Sequence, residues 1–189
     1  DEFDWSLATV WETVAELLPD APAQVQGDRS FSWSEFDHRA DGVAATLLDG
    51  ASQDDRVAQY LRNSPEYIEV TAAALKIGIP AVNTNYRYGS EELRYLWDDA
   101  DVTSVVFHGA FTEHVRSIRR ALPRARQWLH VDDSTATCPR AAIPYDQAAA
   151  AAPFQRVGAP CGRGGAALFL PSTGGLPGTP MGAWLRPRD

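Results

Sequence analysis

RVAQYLRNSPEYIEVTAAALKIGIPAVNTNYRY, residues 56–88, decides the fold class. Val57–Leu61 is an apolar run of strand length. Ser64-Pro65-Glu66 is a helix start: a capping residue, proline at the first helical position and an acid facing the helix dipole. Ile68, Ala72 and Leu75 carry the helix to Gly78, and Ile79–Val82 is a second apolar strand. A strand, a helix and a strand in this order form a parallel pair joined by a right-handed crossover.

The pattern continues outward on both sides. Ser90-Glu91-Glu92 starts a helix with Leu93, Leu96 and Trp97 inward. Thr103–Phe107 is a strand, Phe111–Leu122 a helix and Gln127–Val131 a strand. Upstream, Leu7, Val10, Trp11, Val14, Leu17 and Leu18 mark an amphipathic helix stopped by Pro19. Ala23–Gln26 and Ser30–Ser32 flank a Gly27-Asp28 turn and predict a hairpin. Ser32 and Glu35 form a capping box for the helix that buries Phe36, Ala40, Val43, Ala44, Leu47 and Leu48. Residues 132–165 read as loop, with a short helix near Tyr145–Ala151. Ala166–Leu170 is a last strand that runs into Pro171–Gly182. The expected class is α/β, a mainly parallel sheet flanked by helices.

Composition supports one folded unit. The chain has 189 residues, 44% of them hydrophobic and 22% charged. The net charge of −8 argues against non-specific nucleic-acid binding. Residues 139–189 carry five Arg against two Asp, with 8 of the 13 Pro and 8 of the 14 Gly, so an acidic body meets a mildly basic, Gly/Pro-rich end. Lys76 is the only lysine. No run of about 18 apolar residues predicts a membrane span. The acidic start (Asp1, Glu2, Asp4) lacks signal-peptide features, so a cytoplasmic location is expected. Cys138 and Cys161 lie too far apart for a zinc motif and read as ordinary thiols.

One segment carries chemistry. A buried strand followed by Ser172, Thr173, Gly174, Gly175, Gly178 and Thr179 is how α/β proteins cradle phosphates, with glycines admitting the backbone and hydroxyls adding hydrogen bonds. A Gly/Pro-rich tail without a ligand is the plain alternative. The Walker pattern is absent, since no Gly-Lys pair occurs. Asn83–Tyr88 lies at a strand end, where parallel sheets gather ligands. It reads equally as a structural turn in which Arg87 pairs with an acid and the tyrosines pack. His38, His108, His114 and His130 are scattered and read as structural or solvated. Asp98-Asp99 and Asp132-Asp133 read as solvated ends, and the tryptophans as core.

The loop resembles the phosphate-binding signature of the AMP-forming acyl-CoA synthetases, [YF]-T-[SG]-G-[ST]-[ST]-G-x-P-K-G. Ser172 falls on its aromatic, Thr173 on its threonine, Gly174 and Gly175 on the next pair, and Gly178, Pro180 and Gly182 on the later residues. "WSEFDHRADGVAATLL", the residue 56–88 block and "EELRYLWDDADVTSVVF" also resemble blocks of this family, most of all its bacterial fatty-acyl-CoA synthetases. The resemblance implies activation of a fatty acid with Mg-ATP to an acyl-adenylate, then transfer to coenzyme A. It assigns Ser172, Thr173, Gly174, Gly175, Gly178, Thr179 and Gly182 to ATP binding. Two departures stand out. Met181 occupies the loop-lysine position and carries no charge, and Leu176 and Pro177 replace hydroxyl residues. Arg186 or Arg188 is a candidate substitute. Residues 1–189 match the N-terminal portion of the family's large domain. The later adenine segment, the catalytic acid, the ribose-binding Asp and the C-terminal domain have no counterpart here. The chain alone is therefore expected to be inactive and to self-associate through exposed apolar surface. A non-catalytic module that binds a nucleotide, CoA or a partner is the alternative.

Overall fold

The computed structural model describes residues 6–49, 52, 54–151, 168–172 and 181–185. The chain runs α1 (Leu7–Leu17), β1 (Pro22–Gln26), β2 (Arg29–Ser32), α2 (Trp33–Leu48), β3 (Val57–Tyr60), α3 (Pro65–Ile77), β4 (Ala81–Asn83), α4 (Ser90–Asp99) and β5 (Ser104–His108). It continues through α5 (Thr112–Ile118), β6 (Gln127–Val131), β7 (Ile143–Pro144), α6 (Tyr145–Ala149), β8 (Leu168–Ser172) and β9 (Met181–Leu185).

Seven strands form one sheet in the order β7-β6-β5-β3-β4-β8-β9. Every neighbouring pair is parallel except β8 with β9. Strand periodicity divides the sheet into two cores. Val57, Val106 and Leu129 pack with Val43, Leu47, Val70, Ile77 and Tyr145 on the face covered by α2, α3 and α6. Their neighbours Ala58, Val105 and Trp128 pack with Leu93, Leu96, Trp97, Val115 and Ile118 on the face covered by α4 and α5. The strands β3 and β5 are buried along their whole length, as a sheet covered on both faces requires. The hairpin β1–β2 and α1 pack around Phe36, with Trp11 and Trp33 meeting its ring edge-on.

The helix starts follow their local chemistry with one exception. The capping box of Ser32 and Glu35 is formed. Ser64 occupies the N-cap of α3, but its side chain makes no capping bond. As expected, α4 starts at Ser90, and its cap is Gly89, whose N–H donates to Glu92 at 2.7 Å. The helix expected over Phe111–Leu122 is one short α-helix between two 3₁₀ turns, Gly109–Phe111 and Arg119–Ala121. Within the stretch read as loop, β7 adds a two-residue strand that passes straight into α6.

The last strand is corrected most. Ala166 and Ala167 lie outside the described residues, the strand continues past Leu170 to Ser172, and β9 returns against it. An antiparallel return was not legible, because Met181–Leu185 is too short and too mixed in character to show strand alternation. Ser172 and Gly182, read as loop residues, are strand residues here.

Candidate active site

The parallel register brings the strand ends together. Val82 faces Phe169, so the chain leaves β8 at the same sheet edge where β4 ends at Asn83 and β3 at Tyr60. Across the return, Ser172 pairs with Met181 and Pro171 with Gly182. Both ends of the glycine-rich stretch thus lie side by side at the carboxyl edge of the sheet, where open α/β sheets bind ligands. Thr173, Gly174, Gly175, Gly178 and Thr179, with Arg186 and Arg188, lie outside the described residues, as do Trp5 and Cys161.

Beside this edge the Asn83–Tyr88 turn and the start of α3 enclose a cleft of about 310 Å³, lined by Asn63, Tyr67, Asn83, Asn85 and Tyr86 among others. The turn is held from beneath. Trp97 Nε1 donates to buried Thr84 Oγ1 at 3.0 Å, and Tyr60 Oη donates to the Tyr88 carbonyl at 2.8 Å. Burial, reinforced by Glu92, pushes the Tyr60 phenol up to about 12, so it stays a donor. Asn85 Oδ1 accepts the Arg87 N–H at 3.0 Å, an Asx turn that leaves Tyr86 exposed. Arg87 has no carboxylate partner among the described residues. Its guanidinium lies 5.6 Å from the Tyr86 ring instead. The acid pairing expected for Arg87 is thus replaced by cation–π stacking, and Tyr88 but not Tyr86 packs inside.

His108 ends β5 at the same edge. Its Nδ1 accepts the Arg62 N–H at 3.0 Å. Burial lowers its pKa, with Arg62 and Arg29 acting in the same direction against Asp133 and Glu66. The imidazole is therefore held neutral, as an acceptor Nδ1 requires. Glu66, buried at the start of α3, is pushed up by burial but lowered on balance by Arg29 at 2.5 Å. Asp132 and Asp133 are occupied locally: Asp132 accepts the Ser134 N–H, and Asp133 accepts from Ala110 and Thr135. His114 Nδ1 meets Tyr60 Oη at 3.0 Å, His130 is buried and His38 exposed. Burial raises the Cys138 thiol, which stays protonated.

Two buried ionic clusters escaped the sequence reading. Lys76 is surrounded by Asp41, Asp37 and Glu12 at 2.5, 2.7 and 3.4 Å. Glu69, fully buried, binds Arg39 and Tyr145. Their partners are distant in sequence, and the only available signal was that Lys76 is the sole lysine.

Toward a magnesium-bound triphosphate, this edge offers the Asn83 and Asn85 amides and one exposed cation, Arg87, which lies over the Tyr86 ring. The loop-lysine position is Met181. No group of three or more His, Cys, Asp or Glu that could hold a metal ion occurs among the described residues. The described side chains therefore do not by themselves fit Mg-ATP.

A mainly parallel α/β sheet flanked by helices, with both ends of a glycine-rich stretch at its carboxyl edge, defines an open α/β class of fold. Comparison with known proteins makes the class specific: the model of the AMP-binding enzyme family matches residues 11–185, and the chain belongs to that family. A medium/long-chain-fatty-acid–CoA/3-oxocholest-4-en-26-oate–CoA ligase of Mycobacterium tuberculosis is 30% identical over 97% of the chain. The chain spans about a third of the length of the curated relatives it matches, 34% in this case. A salicylyl-CoA synthase / salicylate adenylyltransferase of a Streptomyces species is 38% identical over 48% of the chain and 17% of its own length. Among solved structures, one described as a long-chain-fatty-acid CoA ligase of Rhodopseudomonas palustris superposes with a TM-score of 0.83 at 26% identity, covering 98% of this chain and 45% of its own. A benzoate CoA ligase of Burkholderia xenovorans shares the fold, with a TM-score of 0.77 at 18% identity over 95% of this chain and 34% of its own. The family is that of acyl-CoA ligases, which activate carboxylic acids.

Proposed function

We propose that residues 1–189 form the N-terminal portion of the large domain of an ATP-dependent acyl-CoA ligase acting on fatty acids in the cytoplasm. A carboxylate is a poor electrophile, and adenylation gives it a leaving group that coenzyme A can displace. In this reading Ser172, Thr173, Gly174, Gly175, Gly178, Thr179 and Gly182 contribute to holding the phosphates, largely through backbone N–H groups and hydroxyls. The observation that carries the reading is the pairing of Ser172 with Met181 at the carboxyl edge beside β4. The printed activity of the mycobacterial relative supports a fatty acid as substrate. Among the described residues no helix is long and apolar enough to cross a membrane, which is compatible with the location.

The chain by itself does not complete this chemistry. Fatty-acid-dependent ATP–pyrophosphate exchange by the 189-residue polypeptide is expected to be absent, and its detection would contradict this part of the proposal. The isolated chain also self-associates. Among the described residues β9 is an outer strand, and an open strand edge is a template for pairing. A monomer by light scattering at high concentration would contradict it. Met181, without a charge at the lysine position, favours a second reading: a non-catalytic module that binds a nucleotide, coenzyme A or a partner.

A further inference from the structure

Five arginines lie between residues 116 and 126 with no acid among them, in a chain of net charge −8. Three have carboxylate partners: Arg116 with Glu113 at 2.5 Å, Arg124 with Asp101 at 2.6 Å, and Arg126 with Asp55. Arg119 and Arg120 have no carboxylate partner among the described residues. They form the 3₁₀ turn that follows α5, and both are exposed. The Arg119 guanidinium is 5.7 Å from the Trp128 ring, which is itself buried. With Arg116 they rim a cleft of about 190 Å³, whose wall includes Val115, Pro139 and Ala142.

We propose that this cleft binds a small organic phosphate monoester, with the phosphate on Arg119 and Arg120 and the apolar body against Val115, Pro139 and Ala142. A phosphate monoester carries about −1.5 to −2 charges at neutral pH, which two uncompensated guanidiniums match. The planar guanidinium fork pairs two N–H groups with two phosphate oxygens, and a cation stacked on an aromatic face is already partly ordered. The cavity sets the size of the body, since a void of roughly 150 Å³ accepts a single benzene ring. The apolar wall makes inorganic phosphate alone a poorer fit. None of the cleft's lining residues falls in 172–182, and the proposal does not depend on the acyl-activation reading.

The test is calorimetric titration of the chain with phenyl phosphate and, separately, with inorganic phosphate. Phenyl phosphate is expected to bind at least fivefold more tightly. The Arg119→Gln/Arg120→Gln double variant changes two exposed side chains, so circular dichroism should be unchanged while phenyl phosphate affinity falls at least fivefold. Ala142→Trp, which fills the cleft and leaves the arginines, is expected to abolish the preference for the phenyl ester. No measurable phenyl phosphate binding would overturn the proposal, as would a preference below fivefold or a double-variant loss below fivefold.

Discussion

Arg39 Nε lies 2.9 Å from Glu69 Oε1, joining α2 to α3 inside the helical layer. The other Glu69 oxygen accepts the Tyr145 hydroxyl at 2.9 Å, and Arg39 Nη2 reaches Asp146 at 3.1 Å. One carboxylate therefore ties α2, α3 and α6 together. Burial pushes the Glu69 carboxyl up, against the opposing pull of Arg39 and Tyr145. Removing one member of a buried ion pair leaves the other desolvated, at about 3–5 kcal/mol. Glu69→Ala is expected to destabilise by that order in urea unfolding, and a loss under about 1 kcal/mol would contradict the assignment.

Lys76 presents the opposite imbalance, one buried ammonium among three carboxylates. Burial already raises Asp41 despite the lysine. In Lys76→Met the three acids repel, and a destabilisation of about 3 kcal/mol at neutral pH is expected. The folded variant then holds protons more tightly than the unfolded chain does. Its stability relative to the parent chain should therefore recover as pH falls from about 7 to 5. Urea midpoints that show a constant deficit across that range would contradict this.

His108 predicts a slope in the other direction. Its pKa is lowered in the folded protein, so the unfolded chain binds more protons below about pH 6.5. The contribution is complete above that pH and is lost as pH falls through the folded value. His108→Asn keeps an acceptor for the Arg62 N–H but does not titrate. The parent chain should lose more stability than the variant between about pH 7.5 and 5.5, and parallel urea-midpoint curves would contradict the assignment.

Gly42 sits inside α2, where alanine ordinarily stabilises a helix by up to about 1 kcal/mol. Here a Cβ would lie 2.5 Å from the Ala149 carbonyl oxygen and 2.6 Å from that of Ala148, both rigid backbone atoms of α6 or its end. Gly42→Ala is therefore expected to lower the melting temperature, by a destabilisation of about 1–3 kcal/mol. An increase would show that α6 yields at this contact.

The alternation from Val57 to Val131 was legible because strands covered on both faces read as continuous apolar runs, and because Pro65 and Gly78 mark the ends of α3 sharply. The site was legible in part. The Ser172–Gly182 stretch announces itself through glycine and hydroxyl content, but its strand boundaries do not, since Ser172 and Met181 are strand residues only through pairing with each other. Arg87 stacks on Tyr86 because Asn85 turns the backbone, a local geometry that composition does not encode. The Glu69 and Lys76 clusters join residues 30 to 76 positions apart, and only the tertiary fold brings them together.

The central claim is that the stretch between Ser172 and Met181 belongs to a phosphate-binding site that lacks its cation. Calorimetric titration of ATP into the chain and into its Met181→Lys variant tests it most directly. A single charge-assisted hydrogen bond contributes about 1.5–3 kcal/mol, so the variant is expected to bind ATP at least about tenfold more tightly than the parent chain. Equal affinities, or no detectable ATP binding by either protein, would contradict it.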